Sequence, residues 1–360
     1  MFNDIEFAML WFDYNDLSFI KTEKILKKFN SAEDIFDKEI VKDMIFDSDF
    51  IEVKTKLLSL DKEKFLEDVT NELYKYDITP VTYFSKQYPE KLKQLGDPPL
   101  VLYTKGDISL LNKKSIAIVG TRKPTDYGKL VCEKFTKTLV SSGLVTVSGL
   151  AYGIDTIVAQ TTLSSGGKTI AVLAGGLDSI YPAQNKQLSE RIESSGLLVS
   201  EYRPKIKPTN FSFINRNRLV SGLSLGTLIV EAGKRSGTIT TANFAVNQGK
   251  ELFVVPGNIN SLQSEGTNTL IDEMPDTFTI SPDRILLRLK IKKKDVQTET
   301  VSQVDLTESK IISALAESEL SFDELCEKTG VKPSELASKL IKLEMFGLVK
   351  KGTTNIYYKL

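Results

Sequence analysis

At 360 residues, 41% hydrophobic and 26% charged, the chain has the composition of a globular protein long enough for two or three cores. Its 47 basic and 47 acidic side chains cancel overall but not locally: residues 1–80 carry 11 and 19, residues 81–280 carry 22 and 16, and residues 281–360 carry 14 and 12. The absence of histidine excludes Ser-His and Cys-His catalysis, and Cys132 and Cys326 alone argue against a zinc site or a disulfide framework.

The first 80 residues read as an acidic helical module, with apolar residues at three-to-four spacing over 5–11, 17–29, 32–36 and 60–76. Asp4, Glu6, Asp13 and Asp16 stand where a signal peptide would be basic. No stretch nears the ~18 apolar residues that span a bilayer, so a cytoplasmic protein with no membrane partner is expected. Residues 77–110, with Y-P-E-K-L, G-D-P-P-L-V-L-Y and K-G-D, give short extended pieces that lead into a central domain at 81–286. From Ser115 strands alternate with helices: strands at 115–119, 144–147, 169–173, 197–201, 227–230 and 251–255, and helices such as 127–141 and 239–248. That order predicts the α/β class, a Rossmann-like parallel sheet covered on both faces. Residues 287–304, with Lys290, Lys292, Lys293 and Lys294, read as a solvated linker.

Residues 305–360 then spell a winged helix-turn-helix. A helix over 306–316 is followed by the capping box Ser321-x-x-Glu324, which opens a second helix. Thr329-Gly330 turns the chain, and Pro333 opens a third helix that runs to Met345 and is stopped by Gly347. Extended runs at 348–351 and 356–360 flank a Gly-Thr-Thr-Asn turn.

The chemistry concentrates in the central domain, where four glycine-bearing turns close apolar runs. The first puts Gly120 ahead of Arg122 and Lys123, and the second closes on Ser148 and Gly149. The third brings Phe213, Arg216 and Arg218 and runs on to Arg235-Ser236-Gly237-Thr238; the fourth is Pro256-Gly257. In an open parallel sheet, turns at the strands' carboxyl ends converge on one crevice. Backbone N–H groups and guanidinium forks there make a phosphate site. The first turn is not G-x-G-x-x-G and no acid follows it at the spacing a ribose needs, so no dinucleotide cofactor is expected.

Arg216 and Arg218 would lie roughly 200° apart on a helix, which suits one for structure and the other for ligand. Phe211 and Phe213 either pack in a core or offer a ring on which a base stacks while arginines hold phosphate. Thr238 is a good N-cap for the helix at 239–248. Glu231 is either the ion-pair partner of a nearby arginine or a catalytic carboxylate.

At this point the chain resembles the DNA-processing protein A family (DprA, or Smf). The match runs through V-G-T-R, S-G-L-A-x-G-I-D, T-I-A-V-L-x-x-G-L-D-x-I-Y-P-x-x-N and S-E-Y. It continues with R-N-R-x-x-S-G-L-S, V-E-A-G-x-R-S-G-T-x-x-T-A and V-P-G-x-I, covering most of 115–271. The resemblance implies a homodimeric, non-enzymatic protein of natural transformation and DNA recombination, which binds single-stranded DNA and helps load a RecA-type recombinase. It implies that Arg122, Arg216, Arg218 and Arg235 line a basic pocket, that Ser148, Gly149, Ser236 and Thr238 contribute backbone and hydroxyl contacts, and that Phe213 stacks. The helical N-terminus is expected to be a SAM-like or helix-hairpin-helix-like accessory module. Two departures stand out: Ala159 replaces a usual histidine, and Ile214 a usual proline after the stacking aromatic.

The rival reading is a nucleotide-binding enzyme of the related superfamily that cleaves an N-glycosidic bond with a G-x-G-T-x-x-E motif. Here Thr227 and Glu231 are one residue further apart than in that motif, and Leu223-Ser224-Leu225 replaces its P-G-G lead. The winged domain holds eight basic and nine acidic residues and no arginine, which suits a protein contact better than duplex DNA.

Overall fold

The computed structural model describes residues 2–45, 50–292, 305–345, 348–352 and 356–359. It divides into two compact units, Met1–Lys294 and Asp295–Leu360. The first opens with helices α1 (Asp4–Tyr14), α2 (Phe19–Leu26), α3 (Lys38–Asp43), α4 (Ile51–Leu58) and α5 (Lys62–Lys75). The expected helix at 32–36 is a 3-10 turn, Asp34–Phe36, and α3 and α4 were not anticipated. Phe7 to Phe12 are all buried, so α1 is enclosed on every side rather than amphipathic.

After these helices come β1 (Thr79–Thr82), α6 (Glu90–Lys93) and β2 (Val101–Gly106). The alternating segment follows: β3 (Ser115–Val119), α7 (Asp126–Ser141), β4 (Val145–Ser148), α8 (Ile154–Ser164), β5 (Thr169–Leu173), α9 (Lys186–Ser195) and β6 (Leu197–Ser200). It continues with α10 (Asn210–Gly222), β7 (Gly226–Ile229), α11 (Gly237–Asn247) and β8 (Glu251–Val254), and closes with α12 (Glu265–Glu273) and α13 (Pro282–Arg288).

The eight strands form one sheet in the order β1-β2-β6-β5-β4-β3-β7-β8. Six are parallel, and β2 and β1 extend the sheet antiparallel beyond β6, an edge the parallel expectation did not include. Strand residues alternate between two cores. Ala117, Val119 and Val172 pack with Leu219 and Val220 of α10 and Ala242 and Ala245 of α11. Ile116 and Ile118 face Cys132, Phe135 and Leu139 of α7 on the other side. Burial pushes the Cys132 thiol up to about 12, which makes it an inert core group. Further along that side, Met9, Leu10, Trp11 and Phe12 share a core with Tyr103, Leu173 and Leu198, so the N-terminal helices are packed onto the sheet.

The second unit has helices α14 (Leu306–Glu317), α15 (Phe322–Thr329) and α16 (Pro333–Met345) and strands β9 (Leu320–Ser321), β10 (Val349–Lys351) and β11 (Ile356–Lys359). Its sheet runs β10-β11-β9 over a core of Ile311, Leu325, Leu336, Leu340 and Tyr357. The capping box forms as expected: Ser321 accepts from Glu324 N while the Glu324 carboxylate accepts from Ser321 N. Gly330 ends α15 at φ 68. The helix stop at Gly347, most of the 352–355 turn and most of the 287–304 linker lie outside the described residues.

Candidate functional site

Strands β3 and β7 lie side by side with Val119 opposite Ile229. The chain leaves β3 toward the α7 face and β7 toward the α11 face, so a crevice opens beyond their carboxyl ends at the topological switch point. It encloses 670 Å³ between the Gly120–Lys123 turn, the Gly149 turn, the start of α10 and the Gly233–Thr238 segment.

Close backbone contacts hold these turns together. Thr121 N donates to the Glu231 carbonyl at 2.7 Å, and Ile154 N donates to the Thr121 carbonyl at 3.2 Å. Gly153, at φ 75, permits the second contact, because a Cβ there would lie 2.4 Å from the Thr121 carbonyl oxygen. The Glu231 side chain is buried behind the crevice wall, where its carboxylate accepts from Thr125 N at 2.9 Å and Thr125 Oγ1 at 2.5 Å. Thr125 in turn caps α7 by accepting from Gly128 N at 3.1 Å. Glu231 is thus neither the arginine partner nor the crevice-facing carboxylate that its sequence position suggested. Its charge sits at the amino end of α7, where helix N–H groups favour an anion.

Arg216 is 4% exposed, yet it forms part of the crevice floor. Its Nη1 donates to the Gly149 carbonyl at 2.6 Å and to the Val172 carbonyl, and its Nε to Asn217 Oδ1 at 3.1 Å. A Cβ on residue 149 would fall 2.4 Å from the guanidinium, so the glycine is there to let Arg216 in. Asp155 lies close by and accepts from Gly149 N at 2.9 Å and Ala151 N at 3.3 Å. Burial pushes the Asp155 carboxyl above its ordinary range, against the pull of Arg216. Arg218 leaves α10 in another direction: it pairs with Glu201, donates from Nε to Asn215 Oδ1 at 3.1 Å and does not reach the crevice. The expected division between one structural arginine and one ligand-facing arginine is not what forms. Both guanidiniums are engaged within the protein.

The exposed charges are elsewhere. Arg122 and Arg235 stand at the crevice with Lys123 and Lys234, and among the described residues none of these four charged ends meets a hydrogen-bond or ion-pair partner. Lys123 and Lys234 were missed as site residues, although each adjoins an arginine in the same turn. Gly149 and Thr238 line the crevice, and Ser236 joins them. Ser236, not Thr238, caps α11, accepting from Thr238 N at 3.2 Å, so the helix starts two residues earlier than expected. Ser148 is fully buried at the end of β4 and does not line the crevice, and its hydroxyl finds no partner among the described residues.

Neither phenylalanine belongs to a core. Phe211 is 75% exposed, while half-buried Phe213 borders the crevice with its ring 5.7 Å from Arg122 Cζ and 5.4 Å from the ring of Tyr181. Among the described residues, no cluster of three or more acidic or cysteine side chains could hold a metal ion. No helix among them is long and apolar enough to cross a membrane.

The family model for DNA recombination-mediator protein A matches residues 79–290, and that for the DprA winged helix domain matches 297–352. The chain belongs to the DNA recombination-mediator protein A family. DNA processing protein DprA of Bacillus subtilis is 41% identical over 226 residues, 62% of this chain and 76% of that protein. The crystal structure of DNA processing protein A from Streptococcus pneumoniae superposes with a TM-score of 0.61 at 33% identity, covering 69% of this chain and 85% of that one. A structure describing the single-stranded DNA binding mode of the Helicobacter pylori protein matches with a TM-score of 0.54 at 34% identity, covering 59% and 95%. Of the two departures from the family pattern, Ala159 is fully buried in the core with Leu150 and Ala171 and does not line the crevice. Ile214 does line it and is 49% exposed.

Proposed function

We propose that this chain is a non-enzymatic single-stranded DNA-binding protein that uses the switch-point crevice. The observation that carries the reading is the set of four cations, Arg122, Lys123, Lys234 and Arg235, which face an open crevice beside an aromatic pair. A small cofactor would call for enclosure and a few fixed polar partners. Unpaired charge beside exposed rings suits phosphates and bases in succession. The Helicobacter pylori relative, whose structure concerns its own single-stranded DNA binding mode, supports the same choice. In this reading Arg216 and Arg218 act by holding the crevice walls, and direct phosphate contact falls to the four exposed cations. Ser236, Thr238 and the Gly149 turn contribute backbone and hydroxyl contacts. Ser148, buried and away from the crevice, takes no part in contact with the strand.

The test is a salt series of oligonucleotide binding. Four contacts at roughly 0.7 each give a slope of log K against log salt of about −3, an affinity loss on the order of 50-fold between 50 and 200 mM salt. A salt-insensitive affinity would sink the reading. Replacing Arg122 and Arg235 together by glutamine flattens the slope by about 1.4 on the same arithmetic.

The wider role we propose is that of a cytoplasmic homodimer that guards incoming single strands during natural transformation and helps a RecA-type recombinase onto them; the family's description as a recombination mediator supports this role. Adding the protein to single strands coated with a competing binder is expected to shorten the lag of recombinase filament growth. An unchanged lag counts against loading, and a sedimentation mass of one chain at working concentration counts against the dimer. The rival, N-glycosidic cleavage, would need Glu231 in the crevice, whereas its carboxylate is occupied by Thr125. Release of free base from nucleoside monophosphates, lost in Glu231→Gln, would overturn the non-enzymatic reading.

A further inference from the structure

A second recess of 550 Å³ opens beside the crevice, and the two share Tyr181, Asn210 and Phe213. The shared residues form the boundary between the two recesses. Within it Phe213 is the half-buried member, with the Arg122 guanidinium 5.7 Å from its ring centroid and Tyr181 at 5.4 Å, tilted by 57°. Tyr181 is 52% exposed and borders both recesses. Across the second recess stands Lys207, exposed and with no hydrogen-bond or ion-pair partner among the described residues.

A ring that already packs against a guanidinium and a second ring has less face to offer than the one outside it. An exposed aromatic next to an unpaired lysine is what a nucleotide uses: a base stacks on the ring while its phosphate meets the ammonium. We propose that Tyr181 is a base-stacking platform and that the second recess, with Lys207, seats a further nucleotide of the strand held in the crevice. Phe213 packs against Tyr181 and joins the two seats. The inference rests on the single-strand reading of the crevice and deepens it, since the strand crosses the Tyr181–Phe213 boundary instead of ending at the arginines.

The experiment is equilibrium binding of the full chain to a short oligothymidylate over a range of salt, for wild type, Tyr181→Ala, Tyr181→Phe and Lys207→Gln. Tyr181→Ala is expected to weaken binding on the order of tenfold at an unchanged salt slope, and Tyr181→Phe to bind as wild type does. Lys207→Gln is expected to reduce the slope by about 0.7. A second measurement uses Tyr181→Trp, because the protein's single tryptophan, Trp11, is buried at 2% exposure and gives a constant background that a stacking base does not reach. Quenching of the new indole by oligothymidylate supports stacking. Normal wild-type binding with an unimpaired Tyr181→Ala and an unquenched Tyr181→Trp would overturn this inference alone. Wild type that fails to bind the oligonucleotide would remove the crevice reading and this one together.

Discussion

Arg216 shows how a charge with almost no open surface can still shape a crevice. Its guanidinium ties the carbonyls of Gly149, just past the end of β4, and Val172 of the neighbouring β5 to α10. That packing leaves no room for a side chain at position 149. Gly149→Ala is therefore expected to displace Arg216 and lower stability by about 1–3 kcal/mol, the usual range for an overpacked core. Urea denaturation measures it, and the double variant Gly149→Ala/Arg216→Met should recover part of the loss. An alanine variant as stable as wild type would contradict the steric account. The motif around Arg216 was legible as a motif, but its chemistry was not. The partners lie 67 and 44 residues away in sequence, and nothing local distinguishes a guanidinium that meets carbonyls from one that meets phosphate. Glu231 failed to be read for the same reason, since Thr125 lies 106 residues from it. Lys123 and Lys234 had a visible signal, adjacency to Arg122 and Arg235 in the same turns.

Among the elements, the parallel strands were the most legible, because each is a short apolar run closed by a glycine or polar turn. The expected spans for β3 and β5 coincide with those formed, β6 and β8 end one residue early, and β4 and β7 are each shifted by one residue. The short helices α3 and α4 carry too few turns for a period to register. The winged unit was legible down to its capping box, and its charges now make a sharper argument than their count did. On α16, which follows the turn as a recognition helix would, Lys339 and Lys342 both donate to Glu308, a carboxylate only 1% exposed, and Lys339 also pairs with Asp305. Lysines engaged this way are not poised for phosphates, on which a duplex reader depends. Truncation after residue 295 is expected to leave oligonucleotide affinity within about tenfold of the full chain at matched salt. A larger loss would assign the winged unit a direct part in DNA binding.

Within the Met1–Lys294 unit, the N-terminal helices are fastened to the sheet by polar contacts as well as by their shared core. Tyr103 of β2 donates to Asp13 Oδ2 at 2.6 Å, and Arg203 donates to the Asp13 carbonyl at 2.8 Å and pairs with Asp16 at 3.0 Å. Nearby, Tyr14 donates to Glu72 at 2.9 Å, and Lys205 pairs with Glu72 at 2.5 Å. Burial pushes the Asp13 carboxyl up to about 7; the Tyr103 hydrogen bond and Arg203 oppose it, while Asp16 and Glu201 reinforce it. The folded chain therefore keeps a proton on Asp13 over a range, from about pH 4 to about pH 7, in which the unfolded chain has released it. Stability from this group is full below the unfolded value, falls as pH rises through the window and is fully lost above about 7. Asp13→Asn keeps an acceptor for Tyr103 and removes the titration. Near pH 5 the variant and wild type should melt at similar temperatures, and toward pH 8 the variant should become the more stable of the two. Thermal melts at three or four pH values decide it: a difference that does not grow with pH would mean that Asp13 is solvated and titrates alike in the folded and unfolded chains.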